Sequence, residues 1–139
     1  IGFMAYWLLK TEPSVYSIDQ LKNDKKTNWN NIRNYQARNY LRQMKKGDRA
    51  LIYHSNEERS AVGISEIIRE AYPDRDPEGG DWSQVDIQYL KPFKRPVSLK
   101  EMKDHPQLKD LPLIKQSRLS AMPLTPFHYE LLCQLGGLK

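Results

Sequence analysis

Between positions 49 and 93 three strand-like runs follow one another with only polar loops between them, and no other feature limits the possible folds so strongly. "RALIYHS" (49–55) is joined to "AVGISEIIREAY" (61–72) through the polar turn "NEER", and "WSQVDIQYLKPF" (82–93) follows the loop "PDRDPEGGD". In the last run Val85, Ile87 and Tyr89 recur at every second position, the period of a half-buried strand. In the middle run Val62 and Ile64 do the same before the pattern doubles at Ile67 and Ile68, which predicts a bulge.

The flanking segments add short elements to this frame. "AYWLLK" (5–10) is apolar and aromatic and reads as a buried first strand, ended by Glu12-Pro13 because proline disfavours helical geometry in its predecessor. Ser17 with Gln20, and Ser98 with Glu101, have the spacing of capping boxes and predict short helices, the second closed by His105-Pro106. Ala37, Tyr40, Leu41 and Met44 fall at helical intervals behind a candidate N-cap, Asn34, and Gly47-Asp48 supplies the turn that follows. "RLSAMPL" (118–124) reads as a last strand or extended segment. Thr125, Pro126 and Gly136 frame a final helix with Phe127, Leu131, Leu132 and Leu135 as its buried stripe. About five or six strands with short helices between them are too few for a doubly wound sheet. The reading is an α+β protein, a mixed and partly open β-barrel with short flanking helices. It forms one domain over 4–139, with 1–3 as a remnant ahead of a natural start at Met4.

Composition narrows the functional classes. The 139 residues include a single cysteine, Cys133, so no disulfide forms within the chain, which fits a reducing compartment. No apolar run approaches the roughly 20 residues of a membrane span, and the first residues lack a secretory pattern. The expectation is a soluble, cytoplasmic monomer, nucleoid-associated in a bacterium or nuclear in a eukaryote. A net charge of +5 suits a polyanionic partner such as nucleic acid. Zinc spacing and a glycine-rich phosphate loop are both missing, so neither a metal nor a cofactor is expected. Asp74, Asp76 and Asp81 with Gly79-Gly80 depart from the calcium-loop spacing and read as a solvated loop. Cys133 reads as core. His54 beside Ser55 is a weak hydrolase signal and otherwise reads as part of a pocket wall.

The stretch "NWNNIRNYQARNYLRQMKKGD" (28–48) is unusual for an ordinary helix, crowding Trp29, Tyr35 and Tyr40 among three arginines and five asparagines. Trp29 reads either as a core tryptophan over the barrel mouth or as a platform on which a planar ring stacks. Arg38 and Arg42 share the helix face opposite the apolar one, and Arg42 reads as solvated. The amides of "NYQA" can read the edge of a base, while Arg33 and Arg38 beside them suit phosphate contacts.

"WLLKTEPSVYSIDQL", "WNNIRNYQARNYLRQMKKGD", "YHSN", "AVGISEIIREAYPD", the "DW" at 81–82 and "RLSAMPL" together resemble the EVE domain, in order and over nearly the whole chain from Met4. The resemblance implies a PUA-like mixed barrel with a concave pocket at one mouth. It also implies a non-catalytic domain that reads a modified base, above all a modified cytosine in DNA, flipped into that pocket. The family's K-S/T-E-P element falls on Lys10, Thr11, Glu12 and Pro13. Its Trp-to-Asn element falls on Trp29, Arg33, Asn34, Tyr35, Ala37, Arg38 and Asn39, and its Y-H-S element on Tyr53, His54 and Ser55. On this basis Trp29 and Tyr53 are the stacking candidates, Asn34, Asn39 and Ser55 the edge readers, and Tyr35 and His54 further pocket residues. Lys10, Arg33 and Arg38 form the phosphate and orientation group. Glu12 either accepts from an exocyclic amino group or pairs with Arg33 or Arg38. One departure is Asn31-Ile32 where relatives commonly have Gly-Val; asparagine tolerates the left-handed turn that such a glycine serves. Alternatives to this reading are an RNA-binding module of the same architecture and a small hydrolase or nuclease using His54 and Glu12.

Overall fold

In the computed structural model, residues 4–138 are described; the expected remnant at 1–3 lies outside them. The elements are β1 (Tyr6–Thr11), α1 (Ile18–Asp24), β2 (Lys26–Trp29), α2 (Tyr35–Gln43), β3 (Arg49–His54) and β4 (Ser60–Pro73). They continue with β5 (Ser83–Ser98), α3 (Leu99–Asp104), α4 (Pro112–Lys115), β6 (Ala121–Leu124) and α5 (Pro126–Leu135). The strands form one six-stranded sheet in the order β2-β5-β4-β3-β1-β6. β1 runs parallel to β3, and every other pairing is antiparallel.

The barrel, expected to be partly open, is not closed by hydrogen bonds. β2 and β6 are the two edges, each four residues long, and each pairs only with its inner neighbour. Pro123 in β6 has no N–H to offer a further strand, as suits a sheet edge. The third run continues past its expected end at Phe93 to Ser98. β2 covers β5 only from Val85 to Gln88, so Pro92 and Pro96 fall where β5 is itself an edge. The bulge expected at Ile67-Ile68 is present: the β4–β5 register slips between Ile67 and Arg69.

The caps form where the sequence put them. Ser17 Oγ accepts from the Gln20 N–H at 3.1 Å, Ser98 Oγ from Glu101 at 3.1 Å, Asn34 Oδ1 from Ala37 at 2.9 Å and Thr125 Oγ1 from His128 at 3.1 Å. Gln20 does not return a bond to Ser17; its amide donates to Asp24 instead, so the box is half made. The stripe on α5 differs from expectation. Tyr129, Leu132 and Cys133 are its buried residues, whereas Phe127 is 53% exposed. Positions 129, 132 and 133 share a face three and four residues apart, and Phe127, in the first turn, points away from it.

Leu8, Leu9, Leu51, Ile52, Ile67, Ile87, Leu41 and Met44 are fully buried and centre the core on the sheet and α2. Asp48, expected only as a turn residue, is 3% exposed and accepts from the Trp7 indole at 2.9 Å and from the backbone N–H groups of Ala5 and Lys45 at 3.1 and 2.9 Å. One carboxylate thereby fixes the end of α2 against β1. No helix among the described residues is long and apolar enough to cross a membrane.

Candidate functional site

The gap between the two sheet edges holds a cavity of about 440 Å³, within the range of small-molecule sites. β2 supplies one wall through Thr27, Asn28 and Trp29, the end of β1 supplies Lys10 and Thr11, and Ser120, just ahead of β6, completes the rim. Trp29 is only 6% exposed, yet its indole lines this space, held edge-on by Tyr16 with ring centroids 6.1 Å apart at 85°. Asn30, Asn31 and Ile32 carry the chain from β2 along the cavity toward α2. Asn31 adopts φ +63°, so the left-handed turn survives with asparagine in it. Its N–H donates to Asp74 Oδ2 at 2.8 Å.

Lys10 also lines a second cavity of about 380 Å³, with Tyr53 and Ser55 on its wall. The Lys10 ammonium donates to the Ser117 carbonyl at 2.7 Å and sits 6.0 Å from the centre of the Tyr53 ring. Burial pulls the Lys10 pKa below the usual lysine range, because water no longer solvates its charge fully. Trp29 and Tyr53, expected to share one pocket, therefore face two adjacent cavities with Lys10 between them.

The remaining site candidates are elsewhere. His54 is 4% exposed and lines neither cavity. Its Nε2 accepts from the Ile18 N–H at 3.0 Å, and its Nδ1 lies 3.1 Å from Glu58 Oε1. The first N–H groups of a helix have no partner within it, and His54 satisfies one for α1. Both ring nitrogens are thus engaged within the fold. Glu12 is exposed, lines neither cavity and makes no ion pair with Arg33 or Arg38. Asn34 commits its side-chain oxygen to capping α2. Asn39 accepts from the Arg38 guanidinium at 3.2 and 2.9 Å. Tyr35 is 65% exposed and stacks outside the cavities on Trp82, centroids 5.0 Å apart.

The arginines are taken up by the loop between β4 and β5. Arg33 bonds Asp74 and Asp76 at 3.0 Å each and lies 5.3 Å from the Trp82 ring centre. Arg38 donates to the Asp81 carbonyl at 3.0 Å, and Arg42, exposed as expected, also reaches Ser83 Oγ at 2.9 Å and Asp81 Oδ1 at 2.7 Å. The loop read as solvated is exposed over 77–81, as expected, but its aspartates tie it to the start and outer face of α2, and Asp74 is 8% exposed. Opposite charges about forty positions apart were visible in the sequence, but nothing local couples them. Tyr16 and Asn30 line the first cavity, and Arg59 and Lys103 the second; sequence reasoning passed over all four.

The unclosed seam of this half-open α+β sheet thus holds a space walled by Trp29, Asn28, Asn30, Asn31 and Lys10. The chain belongs to the EVE domain family, whose model matches residues 5–135. The fold and family implied by the motif resemblance are those of the molecule. Thymocyte nuclear protein 1 of Homo sapiens is 36% identical over 165 residues, covering 94% of this chain and 73% of that protein. An NMR structure of a Rhodopseudomonas palustris protein matches with TM-score 0.88 and 48% identity over 96% of this chain and 94% of its own. The crystal structure of human THYN1 protein in complex with 5-methylcytosine containing DNA matches with TM-score 0.87 and 34% identity, covering 97% of this chain and 99% of that one.

Proposed function

We propose that this chain binds DNA without catalysing a change in it, and reads a modified cytosine rotated out of the duplex into the cavity beside Trp29. The observation that carries this reading is the opening of about 440 Å³ at the sheet seam, with Trp29 in one wall and Lys10 at the border. The human THYN1 protein, similar over nearly the whole length, is seen with 5-methylcytosine containing DNA. Extruding a base costs a few kcal/mol, and stacking on an aromatic ring returns ~1–3 kcal/mol. The remainder falls to phosphate contacts and to polar groups around the base, for which Thr27, Asn30 and Ser120 are placed on the cavity wall. Both cavities are built within one chain, so a monomer suffices for one extruded base.

Methyl recognition has a predictable size. Burying one methyl group contributes ~0.8 kcal/mol, about fourfold in affinity. Duplexes differing only in a single 5-methylcytosine should therefore differ by about fourfold in Kd, and both should bind more weakly as salt rises. Trp29→Phe keeps an aromatic ring in the wall and should reduce the preference; equal affinities of the unaltered chain for the two duplexes would sink the reading. Tighter binding to the ribose version of the same strand would move the assignment to RNA. Recovery of cleaved or altered oligonucleotide would restore the enzymatic alternative.

A further inference from the structure

The second cavity is lined by Lys10, Arg59 and Lys103 and has no carboxylate in its wall. None of the three makes an ion pair among the described residues. Glu57 and Glu58 lie on the far side of the β3–β4 turn, in a separate hollow that Arg59 also borders, and Glu58 is already engaged by His54. Three cationic side chains lining one cavity without a carboxylate in its wall repel one another, so the arrangement favours an anion between them.

The backbone at this turn is held in an unusual state. Arg59 adopts φ +44° and Asn56 φ +68°. Asparagine visits that region readily, whereas a long side chain such as arginine rarely does. The turn is over-determined: Arg59 Nε donates to the Asn56 carbonyl at 3.0 Å, and the Arg59 carbonyl accepts from the Leu99 N–H at 2.8 Å. Strain kept by surrounding bonds is a recurring feature of binding sites. Glycine would fit this position without strain, so the arginine is there at some cost to stability.

We propose that this cavity is a phosphodiester subsite, in which Arg59 and Lys103 hold the DNA backbone phosphate adjoining the extruded nucleotide while Lys10 links it to the base cavity. This rests on the reading of the Trp29 cavity as a base site, because the shared Lys10 wall makes the two spaces neighbours along one strand. Arg59 offers a planar fork suited to two phosphate oxygens, and Lys103 a mobile point charge from the last turn of α3. The contact is to the backbone, so it adds affinity without sequence or modification preference.

The test compares Arg59→Gln with Lys103→Gln, the double variant, and Lys100→Gln as control. Lys100 sits on the same helix but is solvent-exposed, paired with Asp104 and absent from the cavity wall. Methylated and unmethylated duplexes are titrated across a salt series. The double variant is expected to bind both duplexes several-fold more weakly and to lower the salt slope by ~0.9, the share of one phosphate, with the methyl preference unchanged. Lys100→Gln should leave both quantities unaltered. Arg59→Gly supplies an independent arm: it should melt no lower than the unaltered chain while losing DNA affinity, an outcome a purely structural arginine cannot give. The proposal is overturned if the double variant keeps the parental slope or if Arg59→Gly binds DNA normally. Equal binding of the two duplexes by the unaltered chain, with the slope still dropping in the double variant, overturns the modified-base reading but supports the subsite. Absence of all DNA binding overturns both.

Discussion

Lys10 shows how one side chain acquires a role from its surroundings. On the sequence it is a lysine at the end of an apolar strand; in the fold it stands between two cavities with its ammonium on a backbone carbonyl. Because burial lowers its pKa, it loses its proton at a lower pH than an exposed lysine. An anion favours the protonated form, so DNA affinity should be full below the lowered pKa and fall as pH rises through it, before the ordinary lysine value of 10.5 is reached. Binding titrations across alkaline pH check this, with Lys10→Gln expected to flatten the dependence and weaken binding throughout. An unchanged profile in Lys10→Gln would assign the pH response to another group.

Among the elements, α2 and the β4–β5 loop form a unit through charge. Asp74 accepts from the Asn31 N–H and from Arg33, and so ties the segment bordering the Trp29 cavity to the end of β4. Removing it leaves the Asn31 N–H without its partner and Arg33 with Asp76 as its remaining carboxylate. Asp74→Ala should cost ~1–3 kcal/mol of stability, read from urea unfolding. It should also weaken DNA binding more than its distance from the cavity suggests, because Asn30 and Asn31 lose their anchor. A stability change under ~0.5 kcal/mol would mean that the loop docks by its other contacts, those of Arg38 and Arg42.

For the molecule as a whole, the tyrosines report integrity at high pH. Burial pushes both Tyr16, which also donates to Asp24, and Tyr129 up to about 12. Unfolded tyrosines ionise near 10, so the native state holds these protons more tightly than the unfolded one. Their contribution is fully present below pH 10 and is lost as pH rises toward 12. Urea midpoints should therefore hold steady to about pH 10 and then drop, with five tyrosinates appearing late in an ultraviolet titration, because burial also raises Tyr53, Tyr72 and Tyr89. Tyr16→Phe should remove one of the late groups; six or more late-titrating tyrosines would show a wider burial than the structure gives.

The amino-acid order alone was enough for features set by near neighbours: the alternation in β5, the bulge at Ile67, the caps at Ser17, Asn34, Ser98 and Thr125, and the motif string that places the chain in its family. Period and capping are decided within a few residues, so they are legible in one dimension. β2 escaped notice because four polar-rich residues, "KTNW", have no alternation to read and become a strand only by pairing with β5. The division of the expected pocket by Lys10, the capture of Arg33 and Arg38 by aspartates, and the use of His54 as a partner for α1 depend on contacts between residues 36 to 107 positions apart. Whether a polar side chain is free to meet a ligand depends on which acceptors the fold brings within about 3 Å of it, and that distance exists only in three dimensions.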